Sequence, residues 1–425
     1  RCLVGSEMCI RDRNKIVVDK VKITSNRIEV IYTIEGEINK YFNQDEKCFW
    51  VEYTEDISSV PESIAVIPFV CNVLPIAWLS DAELVVNELD EEFYHSLFEV
   101  KHGYMLLSRM LEFKGKVTVN HIINNRYETT KQSAVLFSGG VDAFTTLFRH
   151  LDENPVMITL RGADVKLSDV EGWKVVSEHV ESTAKTFDLS KPEFVTSNFR
   201  MFINEGELSG LCTKSGDGWW HGYQHGIGII GHTAPLAYLK HLRVVYIASS
   251  LTWDFPYVIA SDPVIDSHLK IANSEVSHDG YFMGRMDKIR YIVEKVKKNN
   301  KKIKLRVCWI STGGHNCCEC EKCIRTIFGI IAAGGNPSNF GFDVEKSAEA
   351  NFKSTVINAL SRFINLHSDW HSIQNFILSN NTFIEKNNPN YNWIYTIDID
   401  KTYSTPSSIR LCFRKLKKIV RKVIK

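Results

Sequence analysis

The chain has 425 residues, 44% hydrophobic and 24% charged, an ordinary globular composition that excludes wholesale disorder and collagen-like repeats. That length predicts two or three domains. Lys and Arg number 51 against 50 Asp and Glu, a formal charge of +1, which argues against a uniformly basic nucleic-acid binder.

Residues 1–13, RCLVGSEMCIRDR, follow neither a helical nor a strand period. The segment VGSEMCIRDR resembles the translation of a sequencing-library adapter, so a non-native leader is expected, with Cys2 and Cys9 set aside and the true N-terminus missing. Residues 14–130 read as an α+β accessory domain. Ile16–Thr24 and Arg27–Ile34 form a hairpin pattern across Ser25-Asn26, and Cys48–Tyr53 is strand-like. Ile64–Leu79 is the most apolar stretch, but Pro68, Asn72 and Pro75 spoil the run of about 20 clean residues that a membrane span needs. It reads as a buried strand, Ile64–Val70, followed by a turn. Asp81–Leu111 has helical period with Ser80 or Asp81 as cap, and Gly115–Ile123 returns to β.

Residues 131–340 alternate between strand and helix. Ala134–Phe137, Val156–Leu160, Phe194-Val195 and Val244–Ala248 are apolar strand segments; Asp142–His150, Ser168–Phe187 and Trp220–Leu239 are helical. This alternation predicts an α/β fold with a doubly wound parallel sheet, whose ligands lie at the carboxyl ends of the strands. Residues 341–425 read as a helical extension. Its Arg410–Lys425 tail holds eight Lys or Arg and no acid, and Phe413, Leu416, Val420 and Val423 share one helical face. Removing that +8 from the formal +1 leaves the rest of the chain at −7. A second basic run, Lys295–Arg306, has seven cations and no acid. Both read as solvated helix ends, with tRNA, DNA or anionic lipid as the alternative partners.

The most informative turn is Ser138-Gly139-Gly140-Val141-Asp142, between the strand Ala134–Phe137 and a helix. Paired glycines let the backbone turn tightly and bring N–H groups to an anion, and the helix start adds free donors and the positive end of its dipole. Ser138 adds a hydroxyl. Asp142 would repel a phosphate directly, which suggests a bridging Mg²⁺. No GxxxxGK[ST] occurs, so this is not a Walker A site. The motif resembles the SGGxDS signature of the PP-loop ATP pyrophosphatase superfamily, related in fold to the HUP domains. That resemblance implies cleavage of ATP between its α and β phosphates, transfer of AMP to a substrate oxygen, and capture of the adenylate by ammonia, an amine or a sulfur donor. Ala143 stands where the signature has Ser, so one hydroxyl donor is missing.

Cys308, Cys317, Cys320 and Cys323 are spaced C-x8-C-x2-C-x2-C. Four thiolates so close together repel unless a cation neutralises them, and Zn²⁺ with tetrahedral sulfur ligation fits, with an iron–sulfur centre as the alternative. Four protein ligands close the site, which makes it structural. Cys308 ends a β-like run, Lys304–Trp309; Cys318 is a spare thiol, and His315 is an alternative ligand. With the cysteines taken as metal ligands, and no signal peptide visible, a reduced, cytoplasmic setting is expected. Together with the glycine turn, this cluster resembles the 7-cyano-7-deazaguanine synthase branch of the PP-loop enzymes. Residues 316–326, NCCECEKCIRT, are closer still to an uncharacterised group with an NCxxCEKCxRT signature. The resemblance covers residues 133–335 and implies MgATP, Zn²⁺ and a carboxylate substrate, as in queuosine base synthesis. Relatives in phage-defence gene clusters imply an antiviral role, operon-encoded protein partners and a substrate other than the small base.

The resemblance assigns Ser138, Gly139, Gly140, Val141 and Asp142 to the phosphates. Backbone groups at Leu160 and Arg161, at the end of the second strand, would read adenine. Ser249, ending a later strand, faces the same crevice. Arg285 sits where the synthases have a Lys near the phosphates, with Lys288 one turn on; Asp142 and Arg285 are the expected catalytic pair. Asp254, Asp262 and Asp266 are weaker candidates, each more often a cap or turn residue, and His221, His225 and His278 read as packing or structural hydrogen bonds. The expected function is an ATP-dependent adenylating ligase acting on a small-molecule or protein carboxylate or amide. The alternatives are a sulfur-transfer enzyme of tRNA or bases, which would need Cys212, and a non-catalytic nucleotide-binding scaffold, either of them open to oligomerisation.

Overall fold

An eleven-stranded mixed sheet runs through the first two thirds of the chain. The computed structural model describes residues 14–215, 218–253, 259–308, 310, 313–343, 351–363, 365–380, 388 and 390–403. The leader 1–13, Asp254 and the tail Arg410–Lys425 lie outside the described residues. The strands are β1 (Lys15–Ile23), β2 (Arg27–Glu35), β3 (Phe49–Tyr53), β4 (Glu83–Asp90), β5 (Lys116–Ile123), β6 (Ser133–Leu136), β7 (Val156–Arg161), β8 (Glu193–Ser197), β9 (Val244–Ala248), β10 (Lys270–Ile271) and β11 (Ser274–Asp279). Their order across the sheet is β10-β11-β9-β6-β7-β8-β3-β2-β1-β4-β5. Six of the ten pairings are parallel. The central strands β6, β7 and β9 are almost wholly buried, as sheet strands covered on both faces must be, and their sequences are accordingly near-continuous apolar runs.

Among the described residues, one compact unit comprises those up to Ser138 together with Arg149–Tyr281; the other comprises Gly139–Phe148 and those from Phe282 onward. Every strand belongs to the first unit. Strands from residues 15–123 and from 133–279 share its sheet, joined where β3 pairs antiparallel with β8, so the compact units divide elsewhere than at residues 130 and 340.

Three local expectations are corrected. Ile64–Val70 is not a strand: Glu62–Ala65 and Ile67–Leu79 are helices. The second is buried at every position from Ile67 to Trp78, and a helix covered on all sides shows the same unbroken apolar run as a buried strand. Pro68 lies in its first turn, where proline removes no helical bond. Buried Asn72 satisfies itself by donating to the Pro68 carbonyl at 2.8 Å and accepting from Gln224 at 2.8 Å. No helix among the described residues is long and apolar enough to cross a membrane.

The helix expected over Asp81–Leu111 begins ten residues late. Glu83–Asp90 is β4, held in parallel between β1 and β5, and the helix runs over Glu91–Leu107. Its cap is Asp90, which accepts from the Phe93 amide at 3.0 Å. Trp220–Leu239 is broken into a π-turn, Trp220–Gln224, and helices His225–Gly231 and Ala234–Leu239. Close packing explains the glycines there, since a Cβ on Gly226 would sit 2.4 Å from the Ala260 carbonyl oxygen. Ser274–Asp279 forms β11, parallel to β9.

A charge cluster ties the end of this sheet to the residues after the Val141–Arg149 helix. His150 stacks on Tyr246 at 3.7 Å and bridges Glu153 at 3.0 Å and Asp279 at 3.2 Å; Asp279 also accepts from Arg149 at 3.1 Å. Burial disfavours the imidazolium, but the hydrogen bonds it donates to Asp279 and Glu153 outweigh that and raise its pKa above 6.5. Because the folded pKa is the higher one, the stabilisation is complete below the unfolded value and is lost as pH rises through the folded value. Unfolding free energy should therefore fall as pH rises above about 6.5, and His150→Gln should flatten that slope. Equal slopes in denaturant titrations of the two proteins would refute the assignment.

Candidate functional site

The second unit begins inside the glycine turn. Gly139 adopts φ 78°, the left-handed region that glycine enters without steric cost. Its carbonyl accepts from the Arg306 amide at 2.7 Å, and the Gly140 carbonyl receives the Phe144 amide at 3.0 Å, opening the helix Val141–Arg149. Asp142 lies in the first turn of this helix, and Ala143 is buried. Ser138 is exposed at the end of the first unit's chain segment.

Arg285 and Lys288 stand one turn apart at the start of the helix Arg285–Asn299 and so share a face. Arg285 Nη1 lies 3.2 Å from Asp142 Oδ2, and Lys288 Nζ lies 2.9 Å from Oδ1. Burial alone would raise the Asp142 pKa; Arg285, Lys288 and, at longer range, Lys322 reverse that and hold the carboxyl well below its usual range. Lys288 is only 2% exposed, so its ammonium depends on this partner.

Around this pair lies a second layer. Arg285 Nε approaches Asp369 Oδ2 at 3.9 Å, and Asp369 is ion-paired to Arg325. Arg325 Nε meets Glu321 Oε1 at 3.2 Å, and Trp370 Nε1 donates to the same oxygen at 2.8 Å. Burial pushes the Arg325 pKa down to about 10, against the pull of Glu321. Arg285, Lys288 and Arg325 thus pair with Asp142, Glu321 and Asp369, and both Asp142 oxygens are engaged by cations beside a helix N-terminus. Such a group can bind an anion.

The metal-ligating cysteines come together as the spacing predicts. The sulfurs of Cys308, Cys317, Cys320 and Cys323 all lie within 4.8 Å of one another, with Cys308–Cys320 and Cys317–Cys323 at 3.9 Å. A single ion with ~2.3 Å metal–sulfur bonds in a regular tetrahedron sets its sulfurs ~3.8 Å apart. A polynuclear iron–sulfur cluster separates its cysteines by several bonds and needs wider spacing. The residues therefore fit one ion such as zinc. Backbone amides of Glu319 and Cys320 point at Cys317 Sγ, at 3.4 and 3.2 Å. The hydrogen bond from Cys323 holds the Cys320 thiol down to about 5, while the Cys323 thiol is pushed up by its bond to Cys320. One thiolate suppresses the next, and a divalent cation relieves this. Among the described residues no other group of His, Cys, Asp or Glu meets closely enough for an ion.

Of the expected β-run at Lys304–Trp309, residues 304–308 form no sheet strand, and Trp309 lies outside the described residues. Ile303, Leu305 and Val307 alternate into the core, and the amides of Ile303 and Leu305 donate to the Asn339 and Phe340 carbonyls.

The other candidates belong to the first unit. Leu160 and Arg161 end β7; the Arg161 guanidinium donates to the Leu167 carbonyl at 2.6 Å. Ser249 follows β9, and its hydroxyl donates to the Leu251 carbonyl at 2.6 Å. Asp262 caps the helix Pro263–Asp266, and buried Asp266 accepts from Ser261 at 2.7 Å and pairs with His278 at 2.9 Å. Cys212 is buried, with its thiol 3.5 Å from the Leu208 carbonyl. Sequence reasoning missed Glu321, Arg325 and Asp369. The first two carry a signal, an acid and a base four residues apart on a helix. Asp369 carries none, because it arrives from a helix, Asn365–Asn380, whose pairing depends on the folded chain.

Comparison with protein-family models, curated proteins and solved structures gave no match.

Two outcomes test this description. The purified chain should carry one tightly held metal ion by elemental analysis, and Cys320→Ser should lose it and lower the unfolding temperature; a metal-free chain indifferent to chelators would exclude the site. Asp369→Asn should cost about 2 kcal/mol by urea denaturation, because it strips a buried guanidinium of a partner. A change below about 0.5 kcal/mol would place the pair among weak surface contacts.

Proposed function

We propose that the chain is an ATP-dependent adenylating enzyme of ligase or amidotransferase type, converting ATP to AMP and pyrophosphate. The observation that carries this reading is the Gly139–Asp142 turn at a helix start, with Arg285 and Lys288 clasping Asp142 beside it. The strand order supports it. Reading β6, β7, β8, β9 and β11 as first to fifth gives the parallel order 3-2-1-4-5, the order expected of a doubly wound sheet, with its reversal between β6 and β9. Ligands of such sheets bind beyond the carboxyl ends of the strands at that reversal, and the glycine turn follows β6 in the chain.

In this reading the Gly140 and Val141 amides and the Ser138 hydroxyl grip the β and γ phosphates. Arg285 exchanges its contact with Asp142 for phosphate oxygens, and Asp142 is freed to hold Mg²⁺. Backbone groups at Leu160 and Arg161 receive adenine, and Ser249 is assigned to the nucleotide by the same resemblance. A substrate carboxylate or amide oxygen attacks the α-phosphorus. The bond to the oxygen bridging the β-phosphorus breaks, and pyrophosphate departs with the electron pair. Charge neutralisation by Arg285 and Lys288 supplies most of the rate. Ammonia or an amine then displaces AMP. A deazaguanine carboxylate or a protein carboxylate in a phage-defence pathway is the substrate class, and zinc on the four cysteines is structural. A reduced cytoplasmic setting suits so many free thiols.

The non-catalytic scaffold is the second reading, and Ala143 favours it by leaving one hydroxyl donor short. ATP–pyrophosphate exchange separates the two. Exchange should appear with a competent carboxylate and drop at least ~100-fold in Arg285→Ala and Lys288→Ala. Release of ADP and phosphate instead would reject the chemistry, and tight ATP binding without exchange in the presence of its natural partners would establish the scaffold.

A further inference from the structure

We propose that the four-cysteine centre is a latch that sets the conformation of the Gly139–Phe144 turn, with Asn316 as the positioning residue that couples the two. The coupling itself rests on geometry within the second unit; only its consequence for phosphate binding rests on the function proposed above.

Residues 303–308 are the connecting element. Their extended backbone presents alternate amides to opposite sides. Ile303 and Leu305 donate to the Asn339 and Phe340 carbonyls at 3.0 and 2.9 Å. The Arg306 amide faces the other way and donates to the Gly139 carbonyl at 2.7 Å. Cys308, a metal ligand, lies two residues beyond this contact. A displacement of Cys308 along the strand is therefore a displacement of the donor that fixes Gly139.

Asn316 locks that register. Its Oδ1 accepts from the Val307 and Cys308 amides at 3.0 and 3.3 Å, and its Nδ2 donates to the Leu305 carbonyl at 2.7 Å and the Gly341 carbonyl at 3.3 Å. A single side chain thus bridges the Leu305 carbonyl and the Val307 amide, on the edge opposite the Arg306 amide, and it sits next in sequence to Cys317. A metal bound to Cys308 and Cys317 would close a ring through Asn316, which holds the strand rigid from the metal to Arg306.

A second route runs through charge. Cys320 is the cap residue of the helix Glu321–Ala332, and Cys323 lies in its first turn. Arg325 holds Asp369, which reaches Arg285, the partner of Asp142. The same ion that fixes the backbone of Gly139 therefore also orients the helix that supplies the surrounding charge. A metal serving stability alone has no need of either route; here both end on the same turn.

Hydrogen exchange and pyrophosphate titration on the full, zinc-loaded chain test this. In Asn316→Ala, with metal content still one per chain, amides 140–145 should exchange ~10-fold faster while the helix Phe352–Leu360 keeps its protection. Pyrophosphate affinity should fall ~10-fold. Arg306→Pro deletes the amide and should reproduce the effect, whereas Arg306→Ala keeps it and should not, so the test survives if one variant fails to fold. With cobalt in place of zinc, pyrophosphate should shift the thiolate charge-transfer band, because coupling is reciprocal and a metal with a purely structural role would not respond. Unchanged exchange at the turn in metal-loaded Asn316→Ala and Arg306→Pro would overturn the latch. If the turn loosens as described but pyrophosphate neither binds the wild-type chain nor shifts the band, the latch stands and the phosphate-loop reading falls.

Discussion

A carboxylate at the first turn of a helix, gripped on both oxygens by cations, is the interaction on which the second unit depends. Asp142 without Arg285 and Lys288 would be an acid forced out of water. Lys288 without Asp142 would be an ammonium almost wholly excluded from solvent. Neither charge is tolerable alone, so the glycine turn and the helix Arg285–Asn299 have to meet. The outer pairs, Arg325 with Glu321 and Asp369, repeat the logic one layer out.

Much of this was legible in the residues. The glycine pair between an apolar strand and a helix, and the cysteine spacing, report local chemistry that few other structures satisfy; the sulfurs converge as expected. The central strands were readable because burial on both faces leaves a run of Val, Ile and Leu with little else to be. The same cue misled at Ile67–Leu79, where a helix buried on all sides produces an identical run and the prolines argued for a turn. Glu83–Asp90 failed for the opposite reason. Half-buried strands alternate over too few residues to outweigh a long helical pattern that follows directly, and only the parallel neighbours β1 and β5 decide the matter.

Long-range partners were the least legible. Asn316 looks like any turn residue beside a metal knuckle, and Asp369 like any exposed helix acid. Their meaning lies in what they touch, at separations of 8 to 25 residues for Asn316 and 44 for Asp369. Nor does composition disclose that the hairpin β1–β2 and the strands from β6 onward lie in one sheet, since the β3–β8 pairing that joins them is set by tertiary geometry. Local chemistry can be read from spacing, whereas the contacts that tune it cannot.

The threading of the chain has a consequence for how the protein is made. Gly139–Phe148 is flanked on both sides by sequence of the first unit, yet it is built into the second, whose remaining residues begin at Phe282. On a ribosome adding ~5–20 residues per second, the Val141–Arg149 helix emerges on the order of 10 s before its partners do. Throughout that interval Phe144, Leu147 and Phe148, all buried in the finished fold, have nothing of their own unit to cover them. The nascent chain carries a sticky, orphaned segment at its midpoint, and chaperone demand during synthesis should centre there.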